Sequence, residues 1–184
     1  MITAIGSAQI TFTEAAPNVT INFSATMPAA ASTSPATAYK GNGFTANPTV
    51  AGRLNSNAWD IRGFDFGTLG FGGNQTVDDF GRGQVTNPVL TPGLYAFTDL
   101  PGSVANPAFM IQSGDTDFNP GHVVLKLKNT GTTNLTQLSV SYNLFIRNDE
   151  GRSSSFNFSH SPDDIVYEEE ATLKLFTEGG FEEG

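Results

Sequence analysis

Residues 139–164 read SVSYNLFIRNDEGRSSSFNFSHSPDD, and apolar and polar side chains alternate before and after a charged corner in this stretch. From Leu138 to Ile146 every even-numbered position is apolar, and most odd-numbered positions are polar. Successive side chains of a strand point to opposite faces of a sheet, so this period predicts a strand with one inward face. We predict the longest strand over Leu138–Ile146 and a second strand containing Phe156 and Phe158.

Shorter alternating stretches occur along the rest of the chain. The clearest are AWDIRGFDF at 58–66, GLYAFTDL at 93–100, NPAFMIQS at 106–113 and GHVVLKLKN at 121–129. Asn-Pro pairs and 20 glycines mark the turns between them, and no helical period persists. About nine or ten strands with frequent turns predict an all-β fold, an antiparallel β-sandwich of jelly-roll-like arrangement. We predict one domain over residues 1–176 and a flexible acidic tail over 177–184.

Charge and composition exclude several classes of function. The net charge is −9, and the nine Lys and Arg residues form no basic patch, which argues against nucleic-acid binding. Zero cysteine excludes thiol catalysis and disulfides, and no apolar run approaches a membrane span, so we expect no membrane insertion. An uncharged polar surface favours a secreted or cell-surface protein. Residues 1–23 lack the signal-peptide pattern, so we expect either a cytosolic protein or a mature domain cut from a longer precursor, and we favour the second.

Two pairs of opposite charges lie three residues apart at predicted corners. Asp149 and Arg152 follow the longest predicted strand, and Asp79 and Arg82 occur in DDFGRG. An arginine and a carboxylate at such a corner form a bidentate pair that fixes the turn. We interpret both pairs as structural ion pairs, with a ligand site as the alternative.

Five runs taken in order resemble a β-sandwich module of large secreted or cell-surface bacterial proteins. They are LNSNAWDIRGF, DDFGRG, GLYAF, DFNPGHVVLKLKN and LSVSYNLFIRNDEGRSSSFNFSHSPDD, within residues 40–176. The resemblance implies an extracellular, non-catalytic, jelly-roll-like domain without a defined activity. Such modules continue for several strands beyond ATLKLF, the stretch at 171–176. The expectation is therefore either a truncated piece or a sandwich completed by another chain, because an open strand edge templates pairing with a neighbour.

The run DTDFNPG, residues 115–121, is a candidate calcium loop. Asp115, Asp117 and Asn119 place oxygen ligands at alternate positions, which suits a hard cation. However, Pro120 stands where a calcium loop of this type requires glycine, and Lys126 stands in place of the final glutamate. The alternative is a turn that enters the following strand, so we expect no obligatory cofactor and leave structural calcium open.

Aromatic residues suggest a third kind of site. Trp59, Tyr39 and Tyr95 could stack on sugar rings if their faces were exposed together. The alternative, which we favour, places these rings in the core, where burial of each contributes about 1.5–3 kcal/mol.

No catalytic constellation is evident. His122 and His160 are the only histidines, no G-x-S-x-G is present, and two histidines without a third nitrogen or sulfur donor make a poor zinc site. We therefore predict a non-catalytic structural or adhesive module that self-associates through strand edges or presents a binding surface. The alternatives are a carbohydrate-binding module and an accessory domain of a secreted hydrolase.

Overall fold

The structure, a computed structural model, describes residues 10–25, 27–28, 31, 37–100, 107–147, 154–170 and 175–177. Within these ranges the chain is nearly all β, and its one helical element is a single 3-10 turn at Asp78–Phe80. The all-β class predicted from the sequence is confirmed. The described strands are β1 (Ile10–Phe12), β2 (Phe44–Thr45), β3 (Leu54–Asn55), β4 (Trp59–Phe64), β5 (Gly67–Leu69), β6 (Gln84–Val85), β7 (Gly93–Phe97), β8 (Ala108–Gln112), β9 (His122–Leu125), β10 (Leu127–Asn129), β11 (Ser154–Phe156), β12 (Ser159–His160), β13 (Glu168–Glu169) and β14 (Leu175–Thr177).

The chain divides into two compact units, Met1–Thr136 and Gln137–Gly184. In the first unit, β4 lies between β5 and β9 in an antiparallel sheet, and β7 lies between β6 and β8 in a second sheet. Three further contacts, β1 with β10, β2 with β3 and β6 with β7, are parallel. The first unit therefore combines parallel and antiparallel pairs, and the prediction of a wholly antiparallel arrangement is wrong. Alternation fixes which side chains share a face but not the direction of the neighbouring strand.

Strand β4 forms in the alternating stretch AWDIRGF, which pairs with β5 on one side and β9 on the other. Trp59 lies opposite Leu125 and Ile61 lies opposite Val123 in the pairing with β9. Gly63 allows the following loop to come close, because its φ is +113° and a Cβ there would lie 2.6 Å from the Cα of Gly121. These contacts hold β4 at the centre of the first unit.

The core of the first unit is largely aromatic. Phe109 stacks on Phe23 and Trp59, with ring centroids 5.5 and 5.9 Å apart, and it also meets Tyr39 and Phe44. Phe23 lies outside the strands of the structure. Val19, Ile21 and Phe23 alternate with polar residues and pack against the core, so this part of the chain contributes apolar side chains to the core without forming a strand. The buried hydrophobic residues are Ile10, Met27, Ala31, Tyr39, Phe44, Leu54, Ala58, Trp59, Ile61, Phe64, Leu69, Phe80, Leu94, Tyr95 and Ala96.

The second unit contains a nested antiparallel hairpin. The inner strands β12 and β13 pair Ser159 with Glu169 and His160 with Glu168. The outer strands β11 and β14 pair in a register shifted from that of the inner pair. Asp163 organises the turn between the inner strands, since its Oδ1 accepts hydrogen bonds from the backbone N–H groups of Ile165 and Val166.

The predicted domain boundaries fall only partly on described residues. A single domain over 1–176 stays a prediction, and each of the two units is described by itself. Thr177 ends β14, whereas residues 178–184 of the predicted tail lie outside the described residues. Asp149 and Arg152, the first predicted ion pair, also lie outside them.

Candidate functional site

The structure brings Asp79 and Arg82 together at the 3-10 turn. Arg82 Nη2 lies 2.6 Å from Asp79 Oδ1, and the side chain of Asp79 is 1% exposed. Arg82 Nε also donates to the carbonyl of Pro92, 3.0 Å away, while Asp79 Oδ2 accepts from the backbone N–H of Phe66. A buried carboxylate with this set of donors ties the turn to the β4–β5 connection and to the start of β7, which is a structural role.

Three glycines lie near this ion pair in the sequence or in space, and one of them contacts Arg82. Gly83 adopts a φ of +90°, a region that glycine enters without strain. Gly81 has a φ of −135°, and a Cβ there would lie 2.3 Å from the carbonyl oxygen of Thr76. A Cβ on Gly93 would lie 2.7 Å from Cγ of Arg82. The absence of a side chain at Gly93 therefore allows the close packing around Arg82.

A second ion pair on β4 was not anticipated from the sequence. Arg62 Nε and Nη2 donate to the two carboxylate oxygens of Asp60, at 3.0 and 3.1 Å. Asp60 is buried, whereas the side chain of Arg62 is 59% exposed. The signal was available, because residues two apart on a strand lie on the same face and these two carry opposite charges.

The candidate calcium loop packs on the turn that follows β4. The backbone N–H of Asp65 donates to Oδ1 of Asp117, at 2.8 Å, and the hydroxyl of Thr116 donates to Oδ2 of Asp65. Asn119 donates its amide N–H to the carbonyl oxygen of Asp115. In the part of the chain that the structure describes, no three His, Cys, Asp or Glu side chains are arranged to hold a metal ion. Calcium at this loop gains no support from these contacts.

The three candidate sugar-stacking rings lie inside the first unit. Tyr39, Trp59 and Tyr95 are all buried, and Tyr39 and Trp59 belong to the aromatic cluster around Phe109. Burial raises the pKa of both tyrosine hydroxyls above the ordinary range. The Tyr95 hydroxyl donates to the carbonyl of Thr91, at 2.8 Å. A sugar-binding platform needs exposed ring faces, and these rings present none in this conformation.

The histidines and one surface groove offer little acid–base chemistry. His122 is exposed on β9, and His160 lies 3.9 Å from Glu168 across the inner hairpin, with both side chains exposed. A shallow groove beside β6 is lined by residues that carry no titratable group. They are Gln84, Val85, Thr86, Asn87, Pro88, Val89 and Thr98.

The alternating segment, residues 138–146, differs most from expectation. It lies in none of the strands, and its apolar side chains are 39% to 53% exposed, so the prediction that they face inward is wrong for the described structure. The backbone groups of Leu138, Val140, Leu144 and Ile146 enter none of the hydrogen bonds that join the described residues. The sequence predicted a strand with an inward apolar face here, and the described part of the chain shows neither.

The ring of Tyr142 packs against two aromatic rings of the second unit. Its centroid lies 5.6 Å from that of Phe156 and 6.2 Å from that of Phe158. Even at these contacts Tyr142 remains 39% exposed. The even-numbered apolar row therefore meets its own unit at Tyr142, and all five of its side chains remain 39% to 53% exposed.

Comparisons of this chain with protein-family models, with curated proteins and with solved structures find no match. The resemblance to bacterial surface modules stays a prediction. Among the described residues, no helix has both the length and the apolar character needed to cross a membrane.

Proposed function

We propose that this protein is a non-catalytic structural module that assembles with copies of itself by adding strands at an open edge. The alternating segment carries this proposal. It has the period of a half-buried strand, yet its apolar side chains are exposed and four of its residues lack backbone hydrogen bonds within the described chain. A neighbouring strand would supply backbone partners and cover part of the apolar row.

An alternating segment gains stability only when a second strand pairs with its backbone. Exposed apolar residues are ordinary when scattered, but a continuous row along one extended segment is typical of an interaction surface. Pairing would also bring cross-strand side chains into contact, each pair contributing roughly 0.2–1 kcal/mol. We further propose that the assembled fold is a jelly-roll-like β-sandwich, and that the module is secreted or displayed on a cell surface.

The solution mass of residues 1–184 tests this function. We expect light scattering to give multiples of 19.5 kDa, with electron microscopy of the same sample showing defined oligomers or filaments. Leu144→Lys places a charge in the apolar row and should return the protein to the monomer mass, because a desolvated lysine opposes edge pairing. Leu90→Lys is the matched control, since Leu90 is 85% exposed in the first unit and its replacement should leave the oligomer intact.

Trp59 fluorescence checks that the first unit remains folded in both variants, because this buried residue is the only tryptophan. Far-ultraviolet circular dichroism checks that the strand content of the whole chain is unchanged. A wild-type protein that stays a folded monomer at every concentration would refute the proposed function. Equal loss of association in both variants would show that general surface hydrophobicity, and not the alternating segment, drives assembly.

A further inference from the structure

We infer that the alternating segment pairs with the same segment of a second copy, antiparallel and with Tyr142 opposite Tyr142. This inference rests on the proposed function and adds the partner, the strand direction and the register. It makes the contact two-fold symmetric, because each copy contributes the same residues to it.

The pattern restricts the register. In a strand pair, directly opposite residues project from the same face, so apolar residues must lie opposite apolar residues to form a continuous row. In the antiparallel register centred on Tyr142, Leu138 lies opposite Ile146 and Val140 lies opposite Leu144. A shift by one residue would place most of the apolar row opposite polar side chains, because Phe145 is the only apolar residue at the odd-numbered positions. A shift by two keeps the faces but leaves apolar residues at each end without an opposite partner.

The charge distribution favours a second copy as the partner at this place. Residues 131–147 contain no Asp or Glu, although the whole chain carries 18 acidic residues and a net charge of −9. Pairing of two copies here therefore brings no carboxylates together within the paired stretch. Elsewhere the like net charges of two copies oppose close approach.

Arg147 distinguishes antiparallel from parallel pairing. In the parallel in-register arrangement the two Arg147 side chains would lie opposite each other, and like charges directly opposite are destabilising. In the antiparallel register Arg147 lies opposite Gln137, and the two arginines stand at opposite ends of the ribbon. The backbone geometry favours the same choice, because parallel pairs are slightly less stable per residue.

Spin labels on single cysteines test the register in the full chain, which has no native cysteine. Gln137→Cys, Ser139→Cys and Asn143→Cys change exposed polar side chains at odd-numbered positions, the first just before the alternating segment and the other two within it. The antiparallel register predicts backbone separations between copies of about 34, 20 and 7 Å, at roughly 3.4 Å per residue. Parallel in-register pairing predicts about 5 Å at all three positions. Pulsed electron paramagnetic resonance measures the longer distances, and line broadening detects the short ones.

The outcomes separate this inference from the function on which it rests. Distances that shorten toward Tyr142, and that vanish when the labelled chain is diluted with unlabelled chain, support the antiparallel register. Equal short distances at all three positions, with association retained, overturn the inference and leave self-assembly standing. An oligomer without coupling at any of the three labels overturns the inference in the same way. A monomer refutes both.

Discussion

Strand β4 and the alternating segment carry the same kind of pattern, and only β4 forms a strand in the described structure. β4 lies between β5 and β9, and its Trp59 and Ile61 side chains are buried. In the alternating segment the corresponding row, from Leu138 to Ile146, is exposed. The two regions therefore differ in their neighbours and not in their sequence period.

Alternation determines the two faces of a segment but not its partner strand. A period of two sets which side chains share a face, because successive residues of an extended chain point in opposite directions. It does not supply the second backbone, and an extended segment without one gains little stability over the unfolded chain. β4 obtains β9 from a distant part of the same chain, whereas the alternating segment is proposed to obtain its partner from another copy.

The largest expected effect comes from breaking the buried ion pair that supports the β4 region. Arg82→Met should destabilise the first unit by about 3–5 kcal/mol, because Asp79 would be left as a buried charge without its guanidinium partner. Urea unfolding followed by Trp59 fluorescence reports on this unit, since Trp59 is the only tryptophan.

Arg62→Met is the matched control for that measurement. Arg62 also pairs with a buried aspartate, but its own side chain is 59% exposed, so water can replace part of the interaction. We expect a loss of about 1 kcal/mol for this variant. Equal unfolding midpoints for the two variants would contradict the assigned structural role of the Asp79–Arg82 pair.

Removal of an aromatic ring from each unit gives the next largest effect. Phe109→Ala should destabilise the first unit by about 3 kcal/mol, because Phe109 packs on four other aromatic rings. It should also shift the emission of Trp59 to longer wavelength as water reaches the indole. Tyr142→Ala removes a ring that packs on Phe156 and Phe158 of the second unit, and it should change the free energy of unfolding reported by Trp59 by less than about 0.5 kcal/mol. Equal effects of the two variants would show that Tyr142 is packed as firmly as the aromatic core of the first unit, which would contradict the difference between the two regions.

The sequence predicted several strands correctly and could not predict their partners. The stretches that became β4, β7, β8 and β9 combine alternation with flanking glycine and proline turns, which are local signals. The parallel pairing of β1 with β10 joins residues more distant than any local signal can reach. Loop residues such as Phe23 pack into the core without forming a strand, because burial depends on the apolar face and not on the backbone ladder.

The sequence predicted one of the two ion pairs of the candidate site. Asp79 and Arg82 were identified because opposite charges three residues apart flank a glycine turn. The Asp60–Arg62 pair was missed, although the same charge logic applies at a spacing of two on a strand. The exposure of the alternating segment could not be predicted, because a sequence that would be buried by one neighbour is exposed when that neighbour is absent.

The smallest expected effect concerns Glu14, which anchors the turn shortly before the alternating segment. Its carboxylate accepts a hydrogen bond from the backbone N–H of Thr133, at 2.6 Å. Hydrogen bonds from Thr133 and neighbouring groups lower the pKa of Glu14 from 4.5 to about 2. The folded-state pKa lies below the unfolded value, so the stabilising contribution is present above pH 4.5 and is lost as the pH falls toward 2.

Carboxyl-carbon NMR titration of the intact chain measures the pKa of Glu14 directly. Glu14→Gln should flatten the acid side of the stability–pH curve, because the amide oxygen still accepts from Thr133 but no longer titrates. Glu178→Gln is a suitable control, since it removes one acidic charge at another place in the sequence. A Glu14 pKa near 4.5 would mean that the turn at 131–133 is not held by this carboxylate in solution. The alternating segment would then follow a turn that Glu14 does not stabilise. Its difference from β4, which pairs with a strand on each side, would be larger.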